Sequence, residues 1–204
     1  MKKLISAILI LFLCVGIYSC SKNDSASTAT TATTDNSTAS SPEVIIFPYS
    51  TDIQYAYNAH KAAYGCRGTN ASGTKLAPFF STSTHDLKDR LPSSKWSYPV
   101  KSLQGHIISS SWESLWDGNI EMSLSEAEVI YDNHSNASYI RGFWSATKSD
   151  GTFSGNDCTG WSSPLSSDNA TIGSFQIKED SRWIDNETRA CNSVYTYFLC
   201  FMYN

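Results

Sequence analysis

The chain has no excess of basic residues. Lys and Arg number 15 against 19 Asp and Glu, a net of −4, and both nucleic acid and anionic membrane surfaces call for a basic face. No nucleic-acid partner is therefore expected. Histidine is scarce, at four residues, and no histidine and cysteine spacing matches a zinc cage. His60 lies on an apolar stripe and reads as a packed side chain. His106 and His134 stand alone in polar stretches and read as solvated. His85 is next to Asp86, but no nucleophile motif accompanies them. These gaps leave no metal, no cofactor and no catalytic residue to name, and the chain reads as non-enzymatic. It has no internal repeat either. Between Ser21 and Pro42 it has no large apolar residue, so this segment cannot bury enough surface to offset its ordering entropy and reads as a disordered tether.

What is present begins with an export signal. Lys2 and Lys3 precede an almost unbroken apolar run from Leu4 to Ile17, and Ser19 Cys20 closes it. The run is short for a transmembrane helix. It resembles the signal of bacterial lipoproteins, which implies cleavage and lipidation at Cys20. That places the chain in the bacterial cell envelope, lipid-anchored to the outer membrane. The other reading is an ordinary secretory signal, and in both the protein leaves the cytosol. Loss of Lys2 and Lys3 leaves 13 basic residues against 19 acidic, a net of −6.

Residues 43–204 are enough for one domain with a proper core. Val44 to Phe47 reads as a strand, cut by Pro48 and so placed at a sheet edge. Thr51 or Asp52 then caps a helix running to Tyr64 and ending at Gly65. Leu76 to Phe80 is a second apolar run. Thr84 caps a short helix with Asp86 in its first turn, and Tyr98 Pro99 Val100 bends into another strand. Ser111 caps a helix that carries Trp112 and Trp116 on one face as core anchors and that Gly118 ends. Val129 to Tyr131 and Tyr139 to Trp144 read as two strands joined by Asp132 to Ser138. Ser145 to Ile172 is a long loop rich in Gly, Ser, Asn and Asp, a length unusual in a compact domain unless it is functional or stapled.

Cys191 to Tyr203 reads as one strand covered on both faces. Four cysteines remain for an oxidising compartment: Cys66, Cys158, Cys191 and Cys200. If Cys191 and Cys200 end one extended strand, about 30 Å at roughly 3.3 Å per residue separates them and they cannot pair. Two arrangements stay open: Cys66 with Cys200 and Cys158 with Cys191, or the crossed alternative. On the chain-entropy account each bridge of the nested pattern adds about 3 to 5 kcal/mol.

In this order, several short pieces resemble the NC10/endostatin domain at the C-terminus of collagens XV and XVIII. They are Leu76 Ala77 Pro78 Phe79 Phe80 Ser81 with Asp86 Leu87, then Tyr98 Pro99 Val100 and Leu103, then Ser111 to Trp116 with Gly118. Trp144, Gly151, Cys158 Thr159 Gly160 Trp161, Cys191, Tyr195 and Leu199 Cys200 complete the series. The resemblance implies an α+β, C-type-lectin-like fold with a mixed sheet, flanking helices, a long loop region and two disulfides. It also implies the nested pairing of Cys66 with Cys200 and Cys158 with Cys191. Endostatin's first cysteine matches Tyr55, roughly 16 Å along a helix from Cys66, so the outer bridge is displaced from the family position.

The departures limit what carries over. Pro42 to Asp52 has no histidine, so zinc is not implied. The arginines Arg67, Arg90, Arg141, Arg182 and Arg189 are scattered, so heparin affinity is not implied. Calcium-binding lectins of this fold carry a Glu-Pro-Asn or Gln-Pro-Asp group, absent here, and a Trp-Asn-Asp group that only Trp183 Ile184 Asp185 Asn186 approaches. The expected function is a non-enzymatic binding or adhesion module. It would recognise a protein or extracellular-matrix ligand through the loop between Trp144 and Cys191; the alternative is a glycan-binding lectin-like module. Trp161, Asp185 and Asn186 are the candidate ligand-binding residues. The lipid anchor is directly testable: cells fed a labelled fatty acid should incorporate it into the protein, and Cys20→Ala should abolish that labelling. Unchanged labelling would exclude lipidation at Cys20.

Overall fold

Two β-sheets meet in the run from Thr196 to Tyr203. The computed structural model describes residues 41–49, 59–69, 73–130, 142–193 and 196–204, all within a compact unit spanning Ala39–Asn204. One sheet comprises β1 (Val44–Pro48), β2 (Gly68–Thr69), β3 (Lys75–Pro78), β4 (Val100–Ser102), β5 (Ile107–Ser109) and β10 (Leu199–Tyr203), in the order β2-β3-β10-β1-β4-β5. The other comprises β6 (Gly142–Trp144), β7 (Asn169–Gly173), β8 (Glu187–Ala190) and β9 (Thr196–Tyr197), in the order β8-β7-β6-β9. β1 with β4 and β6 with β9 are parallel; the other neighbours are antiparallel. Helix is sparse among the described residues: α1 (Ala59–Gly65) and short 3-10 turns such as Lys88–Arg90 and Glu113–Asp117. None is long and apolar enough to cross a membrane.

The expected single strand from Cys191 is instead divided. Cys191 lies in a turn after β8, and Phe198 separates β9 in one sheet from β10 in the other. Alternation explains why the whole run is apolar. Tyr197, Leu199, Phe201 and Tyr203 enter one core cluster, around Phe79, Trp112 and Trp183. Phe198 enters a second, with Phe80, Trp144 and Trp161, and Cys200 on the same alternation bonds Cys66. With both faces covered, β10 lies between β3 and β1.

Both nested disulfides are present, Cys66–Cys200 with Cα atoms 5.5 Å apart and Cys158–Cys191 at 5.7 Å. α1 brings Cys66 to β10 because Ala62 and Cys66, one turn apart, are both buried, and the Cys66 N–H donates to the Ala62 carbonyl. The fold is thus mixed α+β, mostly sheet, with two disulfides.

Several expectations are corrected. β1 is interior rather than at an edge, between β10 and β4. Pro48 is its last residue, so the missing N–H falls where the strand ends, and the Tyr49 N–H donates to Phe198 O at 2.9 Å. Thr84 does not cap a helix. It sits in a turn closed by a Thr82–His85 bridge, and the 3-10 turn starts only at Lys88. The Asp86 carboxylate is engaged elsewhere, accepting from Phe153 N at 2.7 Å. The Trp112 segment is a 3-10 turn rather than an α-helix, yet Ser111 Oγ does accept from Ser114 N at 3.0 Å and Gly118 ends it with φ 96°. Trp112 is fully buried, its indole donating to Lys88 O, and Trp116 packs edge-on against it at 5.4 Å.

Val129 and Ile130 form bends, not a strand. They follow a turn fixed by reciprocal bonds between Ser123 and Glu126, each backbone N–H meeting the other's side chain, a capping box. Lys178 also binds Glu126, and these contacts hold its pKa down at about 2. Cys20, the tether up to Ser40, the Thr51 and Asp52 caps, the His60 side chain, Tyr131 to Arg141 with His134, and Tyr195 lie outside the described residues.

Within the four-stranded sheet, β6 and β7 leave no room for a side chain at one point. A Cβ on Gly142 would stand 1.9 Å from Gly173 O, a backbone atom that cannot step aside. Gly142→Ala should therefore destabilise the protein by more than about 3 kcal/mol, measured by urea unfolding. Wild-type stability would refute this β6–β7 approach.

Candidate functional site: a left-handed turn fastened by a disulfide

The segment after β6 is stitched to the rest of the fold through Ser81. The Ser81 N–H donates to Ser145 O at 2.9 Å. Its Oγ accepts from Leu87 N at 2.9 Å and from Thr147 Oγ1 at 2.9 Å, and its carbonyl accepts from Trp161 Nε1 at 3.1 Å. Ser145 Oγ in turn donates to Ile184 O at 2.7 Å. These buried polar groups are satisfied by one another, which removes the cost of hiding them from water. The long loop expected from Ser145 to Ile172 is in part regular structure: a Thr147–Phe153 bridge, an Asp157–Ala170 bridge, and β7 starting at Asn169. Gly151 is required within it, since its φ is +80° and a Cβ would come within 2.7 Å of Lys88 Cβ and 2.8 Å of the Trp116 ring.

At the centre of the segment the backbone turns with the wrong hand. Cys158, Thr159, Gly160 and Trp161 have φ of 53°, 56°, 66° and 64°. Three are not glycine, and each such residue costs about 1 to 2 kcal/mol in this conformation, or about 3 to 6 kcal/mol together. The surroundings impose the geometry. Asp157 accepts from Gly160 N through Oδ1 at 2.8 Å. Cys158 and Cys191, both buried, form the bridge; closing its 33-residue separation is worth about 4 kcal/mol on the chain-entropy account. Trp161 is 5 % exposed and lies against Phe80, Phe198 and Trp144 at 5.1, 5.6 and 6.2 Å between ring centroids. Strain of this kind persists only where the surroundings over-determine it, and it clusters at functional sites.

The turn presents polar groups to solvent. Thr159 and Gly160 are exposed at its tip. Beside them is an open depression of about 370 Å³ lined by Gly155, Asn156, Asp157, Thr159, Ser167, Asp168 and Asn169. Thr159 Oγ1 donates to Asp168 Oδ2 at 3.3 Å. The backbone fixes Asp168, whose carbonyl accepts from Cys191 N at 2.9 Å.

Of the three residues singled out from sequence, Trp161 carries this turn from below, with its ring in the core. Asp185 and Asn186 lie between the Ser181–Trp183 turn and β8, and neither lines the depression. Asn186 N donates to Ile172 O at 2.9 Å, and Asp185 N to Ser181 O at 2.9 Å. Burial raises the Asp185 pKa, Lys148 opposes that rise, and Asp150 adds to it. The lining residues Asn156, Asp168 and Asn169 were not singled out. A dense Asn and Asp composition flanking Cys158 was their only sequence signal. No family model and no curated protein matches the chain.

The strain has a direct test. Thr159→Gly removes one steric penalty, and glycine's added unfolded-state freedom takes back part of the gain. The variant should be more stable by about 0.5 to 1 kcal/mol, read from chemical denaturation. A loss of stability would show that Thr159 is not strained.

Proposed function

We propose that the chain is a lipid-anchored binding or adhesion module of the bacterial cell envelope, with an endostatin-like, C-type-lectin-like domain that recognises a protein or extracellular-matrix ligand. The nested disulfides, the mixed sheets and the long segment between Trp144 and Cys191 support the fold reading. The observation that carries the functional one is the left-handed turn: three strained residues held by a disulfide, a capping carboxylate and a buried tryptophan. That construction serves presentation. It holds exposed amide, hydroxyl and carboxylate groups on a stiff frame, and such groups bind a peptide backbone and basic side chains by hydrogen bonds and charge.

A second reading is a glycan-binding module, favoured by the same depression. It is lined by Asn, Asp, Ser and Thr side chains, which match sugar hydroxyls as donors and acceptors.

One experiment separates the two. The purified full-length protein is applied to immobilised extracellular-matrix proteins and to a glycan array. Saturable binding to a matrix protein is expected, weakened at least about tenfold, or about 1.4 kcal/mol, by Asn156→Ala with Asn169→Ala, while the melting temperature stays unchanged. Binding confined to glycans would transfer the function to the second reading. Binding to neither, or binding untouched by the double substitution, would overturn the assignment of this face.

A further inference from the structure

We infer that Arg67 and Arg90 form a binding site for a carboxylate group, separate from the depression beside the left-handed turn. Arg90 is half-buried and held from two sides. Its Nε donates to Phe80 O at 2.7 Å, and its guanidinium carbon stands 5.6 Å from the centroid of the Phe80 ring, the attraction of a cation to an aromatic face. Phe80 is itself 1 % exposed, packed in the second core against Trp161 and Phe198. Bracing this ring takes one of the five N–H donors of a guanidinium. Its Nη1 and Nη2 end makes no hydrogen bond among the described residues, and neither nitrogen is sealed from solvent.

The fold brings the second arginine alongside. The Cys66–Cys200 bridge and the pairing of Cys200 with Pro78 set Cys66 against the end of β3, and Gly68 pairs with Leu76. Arg67, between Cys66 and Gly68, is therefore level with the end of β3, and Phe80 follows that end by two residues. The proximity registers in the charge of Arg90: burial and then Arg67 push its pKa down to about 10. No carboxylate offsets the two cations. The ion pairs among the described residues are Lys101 with Glu43, Lys178 with Glu126, Arg182 with Asp180 and Arg189 with Glu187. Asp86, the acidic residue before the Arg90 turn, gives its Oδ1 to Phe153 N. Two like charges left side by side repel, and an incoming anion removes that repulsion. The geometry favours a carboxylate. With Nε engaged, the guanidinium offers its two terminal nitrogens, which match the two oxygens of one planar carboxylate, while exposed Arg67 supplies the second charge. A long polyanion is disfavoured, because the chain as a whole is acidic, with 19 Asp and Glu against 15 Lys and Arg.

Acetate alone tests the site, so its failure leaves the matrix-binding reading standing, and failure of that reading leaves the arginine pair. Sodium acetate is titrated into the ¹⁵N-labelled full-length protein with its disulfides intact, against sodium chloride of equal ionic strength. A saturable shift of the Arg90 Nε–Hε and Arg67 amide resonances, absent in chloride, is expected. Arg90→Lys keeps the charge and loses the fork, and should weaken acetate at least about tenfold. Arg67→Ala should weaken it about threefold, and Arg182→Ala, whose guanidinium is paired with Asp180, should leave it unchanged. A blocked glutamyl peptide that binds more tightly than acetate would identify an acidic side chain of a protein as the ligand; equal affinity would identify a free small acid. No acetate-specific shift in the wild-type protein would overturn the inference, as would sulfate binding more tightly than acetate. Acetate binding that survives Arg67→Ala at full strength would do so too, the deciding variant should Arg90→Lys not fold.

Discussion

Everything in this fold depends on the run from Thr196 to Tyr203 being covered on both faces. A strand with one wet face alternates apolar and polar residues; this one cannot, because Tyr197, Leu199, Phe201 and Tyr203 fill one core and Phe198 the other. The same division recurs in Phe79 and Phe80. Phe79 meets Trp112, Phe143, Trp183 and Phe201, whereas Phe80 meets Trp161 and Phe198. Two adjacent phenylalanines facing opposite ways hold the two cores back to back. Phe198, between β9 and β10, makes the sheets inseparable: moving it by one residue would turn every side chain of β10 to the wrong core.

The candidate site hangs from that seam. Trp161 enters the second core against Phe80 and Phe198, and its indole bonds Ser81 next to Phe80. Cys191 supplies the covalent link from the end of β8. The turn is thus tied at both ends to elements that are themselves fixed by the core. The buried ring alone would not hold three residues with positive φ, because the strain of about 3 to 6 kcal/mol exceeds what it contributes, about 1.5 to 3 kcal/mol. Ring and disulfide together, about 5.5 to 7 kcal/mol, are of the size required.

The elements readable in the sequence were those set by burial alone. Apolar content marked β1, β3 and β10, and the two tryptophans of the Trp112 segment marked core. The nested pairing came from resemblance, since the cysteine positions alone left it open. What could not be read depended on contacts distant in sequence. Phe198 is apolar like its neighbours, so nothing local marks it as the break between sheets. Asp86 looks like a first-turn residue of a helix capped by Thr84 until Phe153, 67 residues later, takes its carboxylate. Ser81 looks like any of the chain's serines, yet its three polar groups serve four partners. The left-handed turn was hidden most completely, because Cys158, Thr159 and Trp161 are residues that local propensity keeps out of that conformation. The Ser123 and Glu126 box, by contrast, has a local signal, Ser-x-x-Glu, although it was not singled out from the sequence.

The strain bears on what the turn can do when it meets a ligand. A flexible polar loop loses about 0.5 to 1.5 kcal/mol for each long side chain it orders on binding, which cancels much of what its hydrogen bonds return. Here Asp157 is held by Gly160, Asp168 by the Cys191 amide, and Thr159 by Asp168. That ordering is complete before any ligand arrives, its cost having been met by the disulfide and the aromatic core during folding. The features that make the segment expensive to fold therefore make it inexpensive to bind through. On this ground a surface of short side chains, with no aromatic lining the depression, is the face we propose for recognition.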